Sequence, residues 1–388
     1  MKIIILPLNS AGPWGGSEIL WSELAKIWSR QHHQVAVGIQ AWQPMPTPIR
    51  NLENHGVTLR CYPAAPSRIQ RATDYLLRLR RVPSVVHPLE KWVAWLNPDL
   101  LVFSADGFGG LAGIKLAAKL QIPYAYIIQA NSESWWPSDR QRDEMNAAID
   151  AASGAFCFVG ERNRDLLEIQ LGRRIPEARI VRNPHGALGL KPITWPILSN
   201  DVAFKLRLAY VGRMEPIAKG QDLLLQALAM PQWRDRLWHL SLYGSGHGVE
   251  GLKAIADMLG IGARISILGS YSSLEQVWQS NHALVITSRY EGLPLALAEA
   301  MWLGRPAVVT DVADCALLIR DGVDGFVAEA PTVMHVSQAL ERLWNQRQHL
   351  EVMGRCAAQR VRTFLPADPV KAASEQILSL IPQHHLND

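Results

Sequence analysis

Cysteine is scarce in this 388-residue sequence, and charged residues are few. The four cysteines, Cys61, Cys157, Cys315 and Cys356, lie far apart, with no C-x-x-C pair and no clustered histidines. This spacing argues against a zinc site and against a disulfide-stapled secreted scaffold, and it fits a reducing cytosol. Lys and Arg number 39 and Asp and Glu 35, and the resulting net charge of +4 is too weak to predict a nucleic-acid partner.

Long hydrophobic runs are also missing. The first apolar run, Ile3 to Leu8, contains Pro7 and is too short for the hydrophobic region of a signal peptide. No stretch approaches the ~20 apolar residues that a membrane span requires. With 48% hydrophobic residues, the composition excludes a disordered, collagen-like or coiled-coil chain, and the length predicts two domains. We therefore expect a soluble, cytoplasmic protein.

Short apolar, β-branched runs alternate with helical patterns along the whole chain. Near-continuous apolar runs are typical of parallel strands covered on both faces. Two such series, joined by a proline-containing segment at His185–Asp201, predict an α/β fold with two doubly wound domains. Helical patterns between the strands include Ser17–Arg30 and Gly110–Leu120, and the last one is Pro366–Ile381. The predicted strands are Lys2–Leu6, Gln34–Ile39, Val57–Cys61, Leu100–Ser104, Tyr124–Gln129, Ala155–Val159, Arg179–Arg182, Leu206–Val211, Trp238–Tyr243, Ile265–Leu268, Ala283–Thr287, Ala307–Thr310 and Gly325–Ala328.

The strongest candidate site is the segment SRYEGLPLALAEAMWLGRP, which runs from Ser288 to Pro306. A buried strand is predicted to end at Ser288, and Pro294 suits the first position of the following helix. Glu291 falls in the turn, and Glu299 falls about one and a half turns into the helix. Two glutamates eight residues apart are usually solvated charges, but Glu-Gly-x-Pro between a buried strand and an apolar helix is much more specific.

This turn predicts a ligand with two kinds of group. The amides of Gly292, Leu293 and the first helical turn would face outward without partners, and a helix end of this kind is a natural cradle for a diphosphate. Carboxylates beside it would repel a phosphate, so Glu291 and Glu299 are expected to accept hydrogen bonds from hydroxyl groups. A ligand with a diphosphate and many hydroxyls is a nucleotide sugar.

The segment AYVGRMEPIAKG, Ala209 to Gly220, is the second candidate. The strand ends at Gly212, Arg213 follows at once, and Lys219 comes just before the next helix. In a parallel sheet both cations lie at the same edge as the Glu291 turn, where Arg213 can grip phosphate with two donors and Lys219 acts as a compact charge. If the Glu291 turn is left aside, the alternative is that Arg213 and Lys219 are an ordinary pair of solvated loop residues.

Other strand ends carry weaker patterns. Gly244 follows one strand, Gly269 and Ser270 follow another, and ordinary turn chemistry explains either equally well. In the first half, the Gly15-Gly16 turn lets the backbone approach a ligand. Ser17 capping the helix is the ordinary interpretation, and both can be true.

One glycine pattern tests for a different enzyme class. Residues 107–110, GFGG, superficially resemble a dinucleotide-binding fingerprint. Such a fingerprint requires an acidic residue at the end of the next strand, to hold a ribose. That strand ends at Gln129, and the strand after the Gly15-Gly16 turn ends at Gln40, so both tests argue against a nicotinamide enzyme.

These residues together resemble the retaining glycosyltransferases of family 4, glycosyl transferases group 1. The likeness covers most of the chain and is strongest from Leu206 to Glu329. It implies a GT-B fold, in which two Rossmann-like domains face each other across a cleft. The domains would be an acceptor-side domain at 1–190, a nucleotide-sugar donor domain at 200–365, and a C-terminal helix at 366–388 that packs back on the first domain. The motifs are GGSE (15–18), VGR and KG (211–220), YGSG (243–246), ILG (267–269) and SRYEGLPLALAEAMWLGRPAVVTDV (288–312).

The resemblance also implies roles for individual residues. Arg213 and Lys219 would hold the donor diphosphate and offset the leaving-group charge, Glu291 would contact hydroxyls of the transferred sugar, and Glu299 would contact the ribose. The Gly15-Gly16 turn would complete the phosphate site when the domains close. The sequence has no Asp-x-Asp, consistent with a family that uses cations in place of a bound metal. The implied reaction is front-face displacement with retention, onto a glycan, lipid-linked or small-molecule acceptor, as in polysaccharide biosynthesis.

The sequence departs from the family at one position. Many relatives have a histidine after the strand that corresponds to Tyr124–Gln129, and here the sequence continues ANSESWW. Gln129 or Asn131 would supply that polar contact, or the sugar differs, or the protein is an impaired partner subunit. Trp135 and its neighbour are candidates for stacking on a sugar ring, whereas His185 and His247, the histidines nearest the strand ends, favour loop roles.

Two further alternatives stay open. An epimerase or a sucrose-type synthase would use the same fold and donor. The basic, Trp-containing segment Arg68–Trp95 is compatible with peripheral contact to an anionic membrane and, somewhat better, with an ordinary exposed helix.

Overall fold

The computed structural model describes residues 1–8, 12–63, 87–196 and 205–380. The chain folds into two compact units. The first comprises Met1–Asn183 together with the residues from Asp368 onward, and the second comprises Pro184–Ala367. Each unit has one parallel sheet with helices between its strands, so the predicted α/β class with two doubly wound domains is confirmed.

The first unit has a seven-stranded sheet in the order β3-β2-β1-β4-β5-β6-β7. Its central strands β1, β4 and β5 are buried at every position except Lys2, which is why they are apolar at successive positions rather than at alternate ones. The strands are β1 Lys2–Pro7, β2 Gln34–Gln40, β3 Thr58–Tyr62, β4 Leu100–Ala105, β5 Tyr124–Ile128, β6 Gly154–Phe158 and β7 Ala178–Ile180; the helices are α1 Gly16–Arg30, α2 Thr47–Arg50, α3 His87–Leu96, α4 Leu111–Leu120, α5 Asp139–Ala151 and α6 Glu161–Leu171.

The turn after β4 shows how local sequence sets a helix boundary. Residues Gly107–Gly110 form a short 3₁₀ turn, and α4 begins one residue later than predicted. The hydroxyl of Tyr126 donates to the carbonyl of Gly107 at 2.6 Å and accepts from the amide of Gly110 at 2.9 Å. A Cβ at Gly110 would lie 2.4 Å from the Tyr126 ring, so the close approach requires glycine there.

The end of the chain belongs to the first unit. Helix α15, Pro369–Leu378, packs on α1, where the indole nitrogen of Trp28 donates to the hydroxyl of Ser374 at 2.8 Å in a buried contact. The guanidinium of Arg179, at the end of the sheet, donates to the carbonyl of Gln376. These bonds satisfy polar groups that burial would otherwise leave without partners.

The second unit has a six-stranded sheet in the order β10-β9-β8-β11-β12-β13. All its strand pairs are parallel. The strands are β8 Leu206–Val211, β9 Trp238–Tyr243, β10 Ile265–Gly269, β11 Ala283–Ile286, β12 Ala307–Thr310 and β13 Gly325–Ala328; the helices are α7 Pro216–Lys219, α8 Gln221–Leu228, α9 Val249–Met258, α10 Leu274–Trp278, α11 Leu295–Trp302, α12 Cys315–Leu318, α13 Val333–Asn345 and α14 Leu350–Phe364.

Part of the segment predicted to be a linker is bound to the second unit. The guanidinium of Arg305, which is 1% exposed, donates to the carbonyls of Ile193 and Thr194. The indole of Trp302 donates to the carbonyl of Leu190 at 3.0 Å. The segment therefore packs on the second unit as far as residue 196, where the described part of it ends.

The thirteen predicted strands all correspond to strands of the described residues, with ends that differ by two residues at most. Among the described helices, none is long and apolar enough to cross a membrane. The predicted membrane-contact segment Arg68–Trp95 falls largely on residues 64–86, outside the described residues, and only its end lies in α3.

Candidate functional site

The candidate site lies where the strand order of the second sheet reverses. The chain moves outward from β8 through β9 to β10, and then returns to place β11 on the other side of β8. The segments that follow β8 and β11 therefore leave the same edge side by side. Open parallel sheets bind ligands at the carboxyl ends of the strands at such a point.

Two predicted site residues, Lys219 and Glu291, meet at this point, and Ser288 joins them. The ammonium nitrogen of Lys219 lies 2.7 Å from Oε1 of Glu291, and the hydroxyl of Ser288 donates to the same oxygen at 2.6 Å. The Lys219 and Glu291 side chains are only 19% and 11% exposed. A largely buried carboxylate that accepts from two donors is fixed in place, so a defined acceptor faces this edge of the sheet.

Backbone contacts hold the Lys219 loop against the Glu291 turn. The hydroxyl of Tyr210 donates to the carbonyl of Lys219 at 2.9 Å, and the hydroxyl of Thr287 donates to the carbonyl of Gly220 at 2.7 Å. Gly220 has a left-handed backbone, with φ of 63°, and a Cβ there would lie 1.9 Å from the carbonyl oxygen of Thr287. Glycine at 220 is therefore a condition for bringing the two segments together.

A residue that sequence analysis did not single out, Arg289, ties the same two segments together. Its guanidinium donates to both carboxylate oxygens of Asp222, at 2.9 and 2.8 Å, and to the carbonyl of Pro216 at 2.6 Å. Its amide donates to the carbonyl of Ala218 at 2.8 Å. The sequence does contain a signal for this contact, because Arg289 and Asp222 carry opposite charges on two segments that are predicted to meet at one edge of the sheet.

Arg213 lies on the same loop as Lys219, but its guanidinium pairs with a different carboxylate. Its guanidinium, 53% exposed, lies 3.3 Å from the carboxylate of Glu215. Its carbonyl accepts a hydrogen bond of 2.7 Å from the buried side chain of Gln221, which fixes the backbone at this position. The loop is thus anchored, while the Arg213 side chain remains accessible.

The predicted glycine turns after β8, β9 and β10 lie next to one another. The amide of Gly212 donates to the carbonyl of Tyr243 at 2.9 Å, and the amide of Gly244 donates to the carbonyl of Gly269 at 2.7 Å. Gly244 has φ of 133°, and a Cβ there would lie 2.0 Å from the carbonyl oxygen of Gly212. The backbone segments of the three turns are therefore adjacent, and the exposed Ser270 follows the last of them.

The helix after the Glu291 turn begins one residue later than predicted. Helix α11 starts at Leu295, and Pro294 is its cap rather than its first residue, because the Pro294 backbone has ψ of 92°. Gly292 and Leu293 are buried beneath this start. The amide of Leu297 donates to the carbonyl of Pro294 at 3.0 Å, which leaves the amides of Leu295 and Ala296 at the open end of the helix. This end therefore carries partial positive charge close to Glu291.

Glu299 lies in the second turn of α11. One of its carboxylate oxygens accepts from the amide of Gly186 at 2.9 Å. Burial raises the pKa of Glu299 to about 7, and the hydrogen bond from Gly186 acts in the opposite direction. Burial, and with it the charge of Glu299, raises the pKa of Tyr271 to about 12, which places this carboxylate near the end of β10.

In the first unit, the Gly15-Gly16 turn leads directly into α1. Gly15 occupies the cap position and makes no side-chain cap bond, so the alternative that Ser17 caps the helix is wrong. The Ser17 hydroxyl instead donates to the carboxylate of Glu18, which is 8% exposed. Glu18 is a buried acid next to the predicted phosphate turn, and no pattern in the sequence signals its burial.

Gln129 and Asn131, predicted at the acceptor side, are buried and hydrogen-bonded in the first unit. They are 5% and 3% exposed. Gln129 accepts from the side chain of Asn183 at 2.9 Å and donates to the hydroxyl of Ser104 at 3.2 Å. Asn131 donates to the side chain of Gln170 at 2.8 Å. Their amides are therefore committed to internal bonds, whereas Trp135 borders an open pocket.

The two histidines closest to strand ends differ in environment. His185 is 4% exposed and packs edge-on against the ring of Trp302, and burial, assisted by the charge of Arg362, lowers its pKa to about 4. His247 is exposed in the loop after β9. Within the described ranges, no group of three or more His, Cys, Asp or Glu side chains is arranged to hold a metal ion.

Comparison with known sequences finds a family model that matches part of the second unit. Residues 205–346 match the family model described as Glycosyl transferases group 1. A D-inositol 3-phosphate glycosyltransferase of Mycobacterium leprae is 34% identical over 170 residues, which are 42% of this chain and 36% of that protein. An exopolysaccharide phosphotransferase of Streptomyces coelicolor is 26% identical over 239 residues, 59% of this chain and 24% of that protein. The chain thus spans about a third or less of the length of these relatives.

Solved structures resemble the whole chain. Anabaena Alr3699/HepE in complex with UDP superposes with a TM-score of 0.73 at 20% identity, over 98% of this chain and 100% of that one. Sucrose-phosphate synthase from Thermosynechococcus elongatus gives 0.73 at 16% identity, over 100% of both chains. At these identities the likeness establishes the fold, which is the two-domain GT-B fold that the sequence predicted.

Proposed function

We propose that this chain, whose residues 205–346 match glycosyl transferases group 1, is a retaining glycosyltransferase of family 4. It moves a sugar from a nucleoside diphosphate sugar to a glycan, lipid-linked or small-molecule acceptor. The observation that carries the proposal is the meeting of Lys219, Ser288 and Glu291 where the strand order reverses, beside the amide-rich start of α11.

The two ends of the site suit the two ends of a nucleotide sugar. Lys219, Arg213 and the first-turn amides of α11 are the donors for the diphosphate, and Glu291 is the acceptor for hydroxyls of the transferred sugar. Gly212, Gly244 and Gly269 let the nucleoside approach backbone without Cβ obstruction, and Glu299 accepts from the ribose.

The proposed mechanism is front-face displacement. The bond from the anomeric carbon to the diphosphate oxygen breaks, an acceptor hydroxyl attacks from the same face, and its proton passes to the departing phosphate oxygen. Arg213 and Lys219 stabilise the negative charge that develops on the leaving group, so the proposed reaction needs no bound metal. A preorganised donor of this kind is worth ~10²–10³ in rate.

The relatives support the donor class more closely than the acceptor. Three matching structures of Anabaena Alr3699/HepE hold UDP, UDP with glucose, or UDP-glucose. The relatives' names include an inositol 3-phosphate glycosyltransferase and an exopolysaccharide phosphotransferase. We place the reaction in the cytoplasm, the compartment that the wide spacing of the four cysteines predicts.

The test begins with a thermal-shift panel of nucleoside diphosphates and nucleoside diphosphate sugars. One nucleotide series should raise the unfolding temperature in proportion to the logarithm of its concentration over its dissociation constant. The selected donor is then incubated with candidate acceptors, and NMR of the product reports the anomeric configuration. We expect retention, and the same rate with and without a metal chelator.

Other outcomes identify the alternatives. Interconversion of the donor sugar without transfer would identify an epimerase, and transfer to a free or phosphorylated monosaccharide would identify a sucrose-type synthase. Nucleotide binding with neither transfer nor donor hydrolysis would identify an impaired partner subunit. No stabilisation by any nucleotide would overturn the proposal as a whole.

A further inference from the structure

The segment at the start of the second unit, residues 184–196, packs on helix α11, which carries Glu299. We call this segment the strap. Within the described residues, the amide of Gly186 in the strap is the one hydrogen-bond donor to the Glu299 carboxylate, at 2.9 Å. The bond goes to Oε1, so Oε2 is not committed to a protein donor in the described structure. A carboxylate held in this way from one side keeps acceptor capacity for a ligand on the other.

The contact between the strap and Glu299 is close enough to require glycine. A Cβ at Gly186 would lie 3.1 Å from Oε1 of Glu299 and 3.4 Å from Cδ1 of Leu274. The first distance is shorter than an ordinary van der Waals contact, and the Glu299 carboxylate is the end of a flexible side chain. Any side chain at this position would therefore displace the carboxylate, whereas the bare amide of glycine orients it.

Trp302 holds the strap on the same helix. It follows Glu299 by three residues and therefore lies on the same side of α11. Its indole nitrogen donates to the carbonyl of Leu190 at 3.0 Å, and its ring packs edge-on against the buried ring of His185, with 5.1 Å between the centroids. His185 immediately precedes Gly186 in the chain, so the contacts of Trp302 determine where the Gly186 amide lies relative to Glu299.

Arg305 fastens the far end of the strap. Its guanidinium donates to the carbonyls of Ile193 and Thr194, at 3.2 and 2.9 Å, and to the carbonyl of Trp278, at the end of α10, at 2.6 Å. Burial lowers the pKa of Arg305 to about 10, so the side chain is still charged at neutral pH. A buried cation is costly unless its donors are satisfied, and here carbonyls of the strap satisfy several of them. The bonds therefore give the strap one defined position.

We infer that the strap positions Glu299 for the ribose of the nucleotide, with the Gly186 amide orienting the carboxylate and with Trp302 and Arg305 as positioning residues that hold the strap. The inference rests on the proposed function for the identity of the ligand. A free glutamate side chain loses conformational freedom when it binds a ligand, and the bond from Gly186 removes part of that freedom beforehand. Preference for a nucleotide that carries ribose hydroxyls should therefore depend on the strap.

The test is calorimetric titration of the full chain with UDP, GDP and ADP, and with the dideoxy analogue of each, which lacks both ribose hydroxyls. The measured quantity is the dissociation constant of the dideoxy form divided by that of the ribose form. We expect this ratio to be about 10 or more in the wild type, because hydrogen bonds to a charged acceptor are strong. Trp302→Phe loses the indole donor but keeps an aromatic ring, and it should lower the ratio about 3- to 10-fold. Gly186→Ala, which crowds the carboxylate directly, should change the ratio in the same direction.

Trp238→Phe is the matched control. The indole of Trp238 also donates to a carbonyl at 3.0 Å, that of Trp233, but Trp238 begins β9 and so lies at the opposite edge of the sheet. Its replacement should leave the ratio unchanged. In a Glu299→Gln background, Trp302→Phe should have no further effect on the ratio, because the strap acts through Glu299. Equal weakening of the ribose and dideoxy forms in Trp302→Phe, or the same fall of the ratio in Trp238→Phe, would show a merely structural role and overturn the inference.

The same titrations separate this inference from the proposed function. Absence of binding by every nucleotide refutes the donor proposal, and the inference falls with it. Binding without preference for the ribose form in the wild type, or a preference that Trp302→Phe and Gly186→Ala leave intact, refutes the role of the strap alone and leaves the donor site at Lys219 and Glu291 in place.

Discussion

The ammonium group of Lys219 and the carboxylate of Glu291 form an ion pair of 2.7 Å, although the sequence assigns them to opposite ends of one ligand. Lys219 is the proposed partner of a diphosphate and Glu291 the proposed partner of a sugar. In the structure each side chain neutralises the other. A diphosphate that binds Lys219 would weaken this pair and release an oxygen of Glu291 for sugar hydroxyls, so we expect recognition of the two groups to be coupled.

The first prediction tests that coupling through Lys219. Lys219→Met should lower kcat/KM for transfer by ~10²–10³, because a preorganised cation no longer offsets the leaving-group charge. Glu291→Gln should also lower it, and the double variant should lose less than the product of the two single losses, since each single change already breaks the pair. Steady-state kinetics on the selected donor measures all three.

Lys253→Met is the control for this series. Lys253 forms a comparable pair with Glu250 at 2.8 Å, but it is 52% exposed on α9. Transfer should be unaffected by its loss, because an exposed pair contributes little. Strictly multiplicative losses at Lys219 and Glu291 would contradict the coupling.

The second prediction concerns Arg289, which holds the Lys219 loop through Asp222. Arg289→Lys keeps the charge but loses the fork that reaches both oxygens of Asp222. We expect kcat/KM to fall about 10- to 100-fold, because the loop that positions Lys219 is displaced. The free energy of unfolding should fall by only about 0.5–1.5 kcal/mol, since the pair is partly open to solvent.

Kinetics and urea unfolding of the same preparations separate these two effects. The matched change is Arg355→Lys, at an exposed pair with Glu351 within α14, which should alter neither quantity. Loss of stability with unchanged kcat/KM would show that Arg289 supports the fold and does not position the loop.

The sequence predicts the positions of the candidate residues in the fold better than it predicts which residues they contact. Buried parallel strands read as apolar runs, and parallel strands end at one edge, so the order of residues is enough to predict that Lys219 and Glu291 meet. Partner choice is different, because it depends on side-chain direction across segments distant in sequence. The pairing of Arg213 with Glu215 and the burial of Gln129 are therefore visible only in three dimensions.

The third prediction uses the pKa of Glu299, which burial raises from 4.5 to about 7. A carboxyl that binds its proton more tightly in the folded state makes folding less favourable as the pH rises from the unfolded pKa to the folded one. The wild type should therefore lose stability relative to Glu299→Gln between about pH 4.5 and about pH 7. Urea unfolding of both proteins across that range measures the difference.

Nucleotide affinity should show the opposite trend. The ionised carboxylate can accept from ribose hydroxyls on both oxygens, so the wild type should gain affinity over Glu299→Gln as the pH rises through about 7. Taking the difference between the two proteins cancels the titration of the nucleotide itself. A difference that does not vary with pH would mean that Glu299 does not contact the ribose.

The last prediction compares two glycines of the second unit. A Cβ at Gly220 would collide with the carbonyl oxygen of Thr287 on a left-handed backbone, whereas a Cβ at Gly251, exposed in α9, meets nothing within 4 Å. Gly220→Ala should lower the free energy of unfolding by about 2 kcal/mol or more. Gly251→Ala should raise it by about 0.5–1 kcal/mol, because alanine favours the helix.

The Gly220 change also pushes the Lys219 loop away from the Glu291 turn, so nucleotide stabilisation should disappear in Gly220→Ala and persist in Gly251→Ala. If Gly220→Ala still gained full stabilisation from the nucleotide, the donor site would not depend on the contact between these two segments.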